Sequence, residues 1–195
     1  MKSCSTRSFW ERAVRGISGV IRKLDGRVVY ENRWMTVTED QVERPDGSRG
    51  IFGVVHKPDF ALVIPVEGDG FHMVEEYRYP IGKRTWSFPQ GTLPDRQEAD
   101  PEELARLELV QETGLRARTL RHLGYLHCSH GSSGQGFNIF HASDLEKGEH
   151  DREVEEQDMR QAWVSRPDFV AMVDDGRITD DSTLAAYALL LMKGL

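Results

Sequence analysis

A mixed α/β fold is expected from three observations in the sequence. Short apolar runs, several with alternation, recur between Gly, Pro and Asp punctuation and read as strands. A few stretches with capping signals read as helices and are set among those strands. The two kinds of element do not follow a regular strand–helix–strand period, which leaves a mixed α/β class. The chain has 195 residues, 38% hydrophobic and 29% charged, which suits one globular domain with a small N-terminal addition. The expected division is residues 1–57 for that addition and 58–195 for the main domain. There are no internal repeats and no low-complexity tract.

In chain order, residues 1–19 read as a frayed start with a short helix around residues 9–15. Residues 28–30 and 34–42 read as strands, with Met35 and Val37 alternating against Thr36 and Thr38. Pro45, Asp46 and Gly47 form a turn, and residues 50–56 return as the partner strand. Residues 60–66 and 71–79 are apolar runs fit for buried strands, with Asp69 and Gly70 as their hairpin turn. A short strand begins at Trp86. Further strands are expected at residues 120–125 and 137–142, joined by a Gly/Ser-rich loop over 127–136. That loop lacks the Gly-Lys-Ser/Thr of a phosphate-binding P-loop and reads either as a mobile segment near the pocket or as a flexible connector. Residues 146–157 form a charged loop, 159–164 a strand and 167–174 a helix. A second, Leu- and Ala-rich helix over 181–192 is capped by Asp180 or Asp181.

The most informative stretch is residues 91–115. Asp100 and Glu103 form an N-cap signature, Pro101 suits the first helical position and Gly114 the stop, so the helix is predicted over 101–112. Glu108 and Glu112 are four residues apart and share one face, with Gln111 beside them. Leu104, Ala105, Leu107 and Leu109 surround Glu108, whereas Glu102, Glu103 and Arg106 point away. Two carboxylates on an apolar face are costly unless something positive meets them. They also occupy the last turn, where the helix dipole favours a cation. A hard divalent ion with oxygen ligands, Mg2+ first, answers both costs.

These residues resemble the Nudix box, whose pattern runs G-x5-E-x7-R-E-U-x-E-E-x-G-U, with U a bulky apolar residue. Gly91, Glu108, Leu109, Glu112, Gly114 and Leu115 match it, following Trp86-Ser87-Phe88-Pro89-Gln90. The interval from Gly91 to Glu108 is two residues longer than the pattern. Glu98 lies one residue from the early Glu position, which Ala99 occupies; Leu107 stands in place of Arg, and Gln111 in place of the first paired Glu. The resemblance implies a Nudix α/β/α sandwich, here with a small N-terminal antiparallel sheet. It also implies metal ligation by Glu108, Glu112 and the Gln90 backbone carbonyl, with Mg2+ or Mn2+ as cofactor. Gln111 would offer a neutral oxygen and weaken a second or third metal. The absent Arg, which in the family pins the catalytic Glu, predicts low activity.

The resemblance is strongest to the branch that hydrolyses ADP-ribose and nucleotide sugars to a nucleoside monophosphate and a sugar phosphate. It rests on the N-terminal sheet, Tyr77-Arg78-Tyr79-Pro80, the late acidic loop and Gly176-Arg177-Ile178-Thr179-Asp180. In that branch the sheet exchanges between subunits, which implies a homodimer. Arg78 would bind the diphosphate through its planar fork; the alternative is a surface Arg paired with Glu76 or Glu75. Gln90 and Gly91 would border the substrate. Glu156, then Glu155, with Glu153 behind them, are the candidate general bases; a solvated charge run is the alternative. His127, His130 and His141 lack zinc spacing, and Trp86 and Phe88 read as core.

A net charge of −7 argues against a general nucleic-acid binder. No apolar run is long enough for a membrane span, and the first residues lack the continuous apolar core of a secretory signal. Cys4 and Cys128 are too few for a disulfide framework and read as small buried residues, so a cytoplasmic location is expected. Competing functions are a dinucleoside-polyphosphate or RNA 5′-pyrophosphate hydrolase, from Phe88-Pro89-Gln90-Gly91, and a nucleotide-binding module with weak or no catalysis, from Leu107 and Gln111.

Overall fold

The computed structural model describes residues 19–93, 99–149 and 158–195. A three-stranded antiparallel sheet comes first: β1 (Arg22–Glu31), β2 (Thr36–Glu43) and β3 (Arg49–His56). The β2–β3 turn closes where Gly47 takes φ 82° and the Asp46 carboxylate accepts from Ser48 N at 2.9 Å. The first strand is longer than residues 28–30, and every one of its residues is exposed, so it lacked the apolar face that marks a strand in sequence.

The second sheet has seven strands: β4 (Phe60–Glu67), β5 (Gly70–Arg78), β6 (Lys83–Ser87), β7 (Gln90–Gly91), β8 (Leu115–His127), β9 (Gly136–Lys147) and β10 (Arg160–Ser165). Its main path runs β10-β5-β4-β9-β8, with β6 on β5 and β7 on β4. The β4–β5 hairpin turns at Gly68-Asp69 rather than Asp69-Gly70, because Glu67 already pairs with Gly70 and Gly68 takes the left-handed φ of 61°. Strands β8 and β9 extend well beyond the expected 120–125 and 137–142. The charged residues Glu146 and Lys147 therefore belong to a strand, not a loop.

Strand β4 forks. It pairs with β5 at Val66 and Glu67, and with β7 at Ala61 and Leu62. The edges part between those points, and the loops around the fork frame the cleft described below. Alternation along β4 feeds two cores. Leu62 and Ile64 face Phe71, Phe88, Phe169, Met172, Ala186 and Leu190, whereas Ala61 and Val63 face Leu104, Ala105, Leu109 and Phe140. The first core lies under α2 (Arg166–Asp174) and α3 (Asp181–Met192), the second under α1 (Pro101–Thr113). This is the expected α/β/α sandwich.

Helix α1 starts where the Asp100 carboxylate accepts from Glu102 N at 2.9 Å and Glu103 N at 3.3 Å, with Pro101 at the first turn. It stops at Gly114, whose φ of 70° ends the helix. Leu107 departs from its expected place: it is 40% exposed, about a hundred degrees around the helix from Glu108, and outside the buried stripe. Among the described residues no helix is long and apolar enough to cross a membrane.

Candidate active site

Glu108 and Glu112 are 4% and 3% exposed. They lie on the buried side of α1, as one-turn spacing on the face of Leu104, Ala105 and Leu109 requires. Gly91 sits directly beneath the first of them. A Cβ built at position 91 would lie 2.4 Å from Glu108 Oε2, so the carboxylate occupies the space where any other residue would place a side chain. Glycine is needed at this point for that close approach.

The strand carrying Gly91 is fixed by its pairing with Ala61 and Leu62 and by Val63 N donating to Pro89 O at 2.9 Å. Carbonyl direction alternates along an extended strand, so the Gln90 carbonyl is turned away from β4. The Gln90 side chain lies on the opposite side of the sheet from Gly91. Its Nε2 donates to Asp180 Oδ2 at 3.1 Å, while its Oε1 is buried without a hydrogen-bond partner among the described residues. Gln111 is half-buried one position before Glu112.

Two cavities open along this rim, and both are lined by Lys57 and Phe60 at the start of β4. One, of about 380 Å³, is lined by Arg78, Gln90, Gly91, Gln135 and Asp180. The other, of about 520 Å³, reaches His56, Asp59, Pro101 and Asn138 at the start of α1. Arg78 thus lines the cleft, and its Nη2 pairs with Glu76 Oε1 at 2.6 Å. Burial pushes the Glu76 carboxyl above its ordinary range; Arg78 opposes this, Asp158 adds to it, and Arg84 opposes it more weakly.

The Gly/Ser-rich loop borders the cleft through Cys128 and Gln135. It is laced by hydrogen bonds rather than open: Cys128 N donates to Gln135 O, Ser132 N and Ser133 N to Ser129 O, and Gly136 N to Asp59 Oδ1. Val55 N donates to Ser132 O at 2.8 Å, which joins the N-terminal sheet to the cleft wall. The Cys128 thiol is pushed up by burial, the state of an inert thiol.

Glu153, Glu155 and Glu156 lie outside the described residues, as do Cys4 and the expected helix over 9–15. His127 and His130 are exposed, and His141 is held below its ordinary range by burial and by Arg121 and Arg166. Phe88 is core, stacked on Phe169 and edge-on to Phe71, and Trp86 packs against the same cluster. Lys57, Phe60 and Gln135 carried no signal for the cleft in sequence, since they line it only because the start of β4 and the β8–β9 loop converge there.

Among the described residues no three His, Cys, Asp or Glu side chains cluster as a ligand set. The donors available here, the buried Glu108 and Glu112 carboxylates one helical turn apart and the backbone carbonyl of Gln90 next to the glycine under Glu108, are all hard oxygens. That chemistry fits a divalent cation of the Mg2+ or Mn2+ type and does not fit a softer metal.

An α/β/α sandwich with an acid pair on the inner face of the box helix, the first acid packed on a glycine, defines a class. Residues 56–187 match the model of the NUDIX domain, and residues 21–55 match the nucleoside diphosphate sugar hydrolase N-terminal domain. The chain belongs to the Nudix family, whose hydrolases generally use divalent metal ions. It is 30% identical over 164 residues to an ADP-ribose pyrophosphatase of Mycobacterium tuberculosis, covering 83% of this chain and 79% of that protein. It is 26% identical over 167 residues to an ADP-ribose pyrophosphatase of Bacillus subtilis, covering 85% and 89%. A CMP-5′-(N-acetyl-N-hydroxy-3-aminopropyl)phosphonate hydrolase of Streptomyces rubellomurinus is 30% identical over 172 residues, covering 87% and 80%. The crystal structure of an ADP compounds hydrolase superposes with a TM-score of 0.78 at 21% identity, covering 91% of this chain and 96% of that one, which establishes the shared fold.

Proposed function

We propose that this protein hydrolyses the diphosphate linkage of ADP-ribose or a nucleotide sugar, giving a nucleoside monophosphate and a sugar phosphate, with Mg2+ or Mn2+ as cofactor. The observation that carries this reading is the buried Glu108–Glu112 pair, with Glu108 packed on Gly91, which lines a cleft together with Arg78 and Lys57. Two ADP-ribose pyrophosphatases among the relatives, each aligned over more than four-fifths of this chain, support the substrate class.

Glu108, Glu112 and the Gln90 carbonyl are the groups that would hold the cation, with Gln111 supplying at most a neutral oxygen. When bound, a divalent ion neutralises phosphate charge and lowers the pKa of water. Arg78 offers a planar fork to the diphosphate once a phosphate oxygen competes with Glu76 for it. Lys57 adds a second positive charge on the cleft wall. The general base is assigned to Glu156 or Glu155, on the segment between β9 and β10. The division near residue 57, cytoplasmic residence and a homodimer belong to the same proposal. Support for the dimer is the N-terminal sheet, where Val28, Tyr30, Trp34 and Ile51 are all at least half exposed.

A second reading, a nucleotide-binding module with weak catalysis, is favoured by one observation. Leu107 is exposed, and Arg106 is committed to Glu102 at 2.8 Å and to the Ala117 carbonyl at 2.9 Å, so neither takes the place of the Arg of the family pattern. Turnover of ADP-ribose, nucleotide sugars, dinucleoside polyphosphates and 5′-triphosphorylated RNA with Mg2+ or Mn2+ separates the readings. Release of nucleoside monophosphate from the first two is expected. Saturable binding with no turnover across the panel would establish the module.

A further inference from the structure

Strand β7 is two residues long, yet it carries both the Gln90 carbonyl and the glycine under Glu108. Two ladder pairs and the Val63 N bond to Pro89 O tie it to β4 on one edge. Further support comes from residues 177–183, at and before the start of α3 on the far face of the sheet. Trp86 N and Thr85 Oγ1 both donate to Arg177 O at 2.9 Å, and Phe88 N donates to Thr183 Oγ1 at 3.0 Å. Gln90 Nε2 donates to Asp180 Oδ2, the same oxygen that caps α3 by accepting from Thr183 N at 2.8 Å. Phe88 and Thr183 are fully buried, so water does not replace their bond. With Oε1 unpartnered among the described residues, the bond to Asp180 is what orients the Gln90 amide.

We propose that Asp180 and Thr183 are positioning residues for the metal site: acting through Gln90 and Phe88, they fix the backbone of Gln90 and Gly91 against the Glu108 carboxylate. The N-terminus of α3 thereby sets the site geometry from the opposite side of the sheet. This rests on the assignment of Glu108, Glu112 and the Gln90 carbonyl as cation ligands, and it holds whichever diphosphate is cleaved. A purely structural cap predicts something else: its loss would lower stability and leave cation affinity alone.

The test uses the full chain and Mn2+ alone, titrated by electron paramagnetic resonance, beside kcat and KM for ADP-ribose and the unfolding midpoint. Asp180→Ser keeps a good helix cap but is too short to reach Gln90. Gln90→Met removes the donor without touching α3. Each is expected to weaken Mn2+ binding about tenfold and to lower kcat more than it changes KM. The double variant is expected to be no worse than either single one, since one hydrogen bond is lost in all three. Thr183→Val should act in the same direction, and Thr183→Ser, which keeps the hydroxyl, should match wild type. Wild-type Mn2+ affinity in both Asp180→Ser and Gln90→Met would overturn the proposal, as would additive losses in the double variant. A wild type that binds Mn2+ but turns over no diphosphate would defeat the hydrolase reading alone, and the Mn2+ titration would still decide the positioning role. A wild type that binds no Mn2+ would overturn both.

Discussion

Gly91→Ala is the most discriminating single change, because the structure predicts a loss of activity with almost no loss of stability. The new Cβ would lie 2.4, 2.7 and 2.8 Å from Glu108 Oε2, Cδ and Oε1, and ordinary contact begins near 3.4 Å. All three nearest atoms belong to one carboxylate at the end of a flexible side chain. The backbone can therefore stay, while the carboxylate retreats by about 1 Å. A displacement of that size at a catalytic group costs about 100-fold in rate, or about 2.7 kcal/mol in transition-state stabilisation. Folding stability should barely move, since Gly→Ala also reduces the freedom of the unfolded chain. The assay is kcat/KM for ADP-ribose with Mg2+, beside thermal unfolding. Gly53→Ala, whose Cβ would meet nothing within 4 Å, is the control. Activity within twofold of wild type in Gly91→Ala would refute the placement of Glu108 at the reacting centre. A large fall in unfolding temperature would show that the glycine serves folding instead.

Three further outcomes are expected. Glu112→Gln keeps the side-chain shape and removes the charge, and should lower kcat by about two orders of magnitude with the fold intact by circular dichroism. Arg78→Lys exchanges the fork for a point charge and should raise KM for ADP-ribose about tenfold, near 1.4 kcal/mol, in steady-state kinetics. Burial raises the Glu76 carboxyl, so the fold favours its neutral form: that contribution is present at acid pH and is lost as pH rises through the raised value. Glu76→Gln should therefore raise the unfolding temperature relative to wild type more at about pH 7 than at about pH 4, read by calorimetry across that range.

Sequence revealed most where local chemistry decides structure. Helix α1 was readable to within a residue because Asp100, Pro101 and Gly114 each act on neighbouring backbone. The inward direction of Glu108 and Glu112 followed from periodicity alone. Strands β1, β8 and β9 were under-read for a physical reason. β1 and β8 pair over long stretches with mostly exposed side chains, the unread end of β9 over 143–147 is polar apart from Leu145, and β8 shifts register between His122 and Gly124, which breaks the alternation that marks a strand. Leu107 was misplaced because an apolar residue beside a buried stripe need not belong to it. Nothing local could show that Gly91 makes room for Glu108, or that Asp180, read only as a cap, also holds Gln90. Those contacts join residues 17 and 90 positions apart, and only the folded sandwich brings them together.

The central claim is that a divalent cation sits between the inward-facing acids and a bound diphosphate. Anomalous scattering from a crystal grown with Mn2+ and a non-hydrolysable ADP-ribose analogue tests it directly. A peak is expected within about 2.3 Å of oxygens from Glu108 and Glu112, with the Gln90 carbonyl and a phosphate oxygen completing the set. A well-ordered analogue with no peak at those carboxylates, or with its metal held elsewhere, would contradict it.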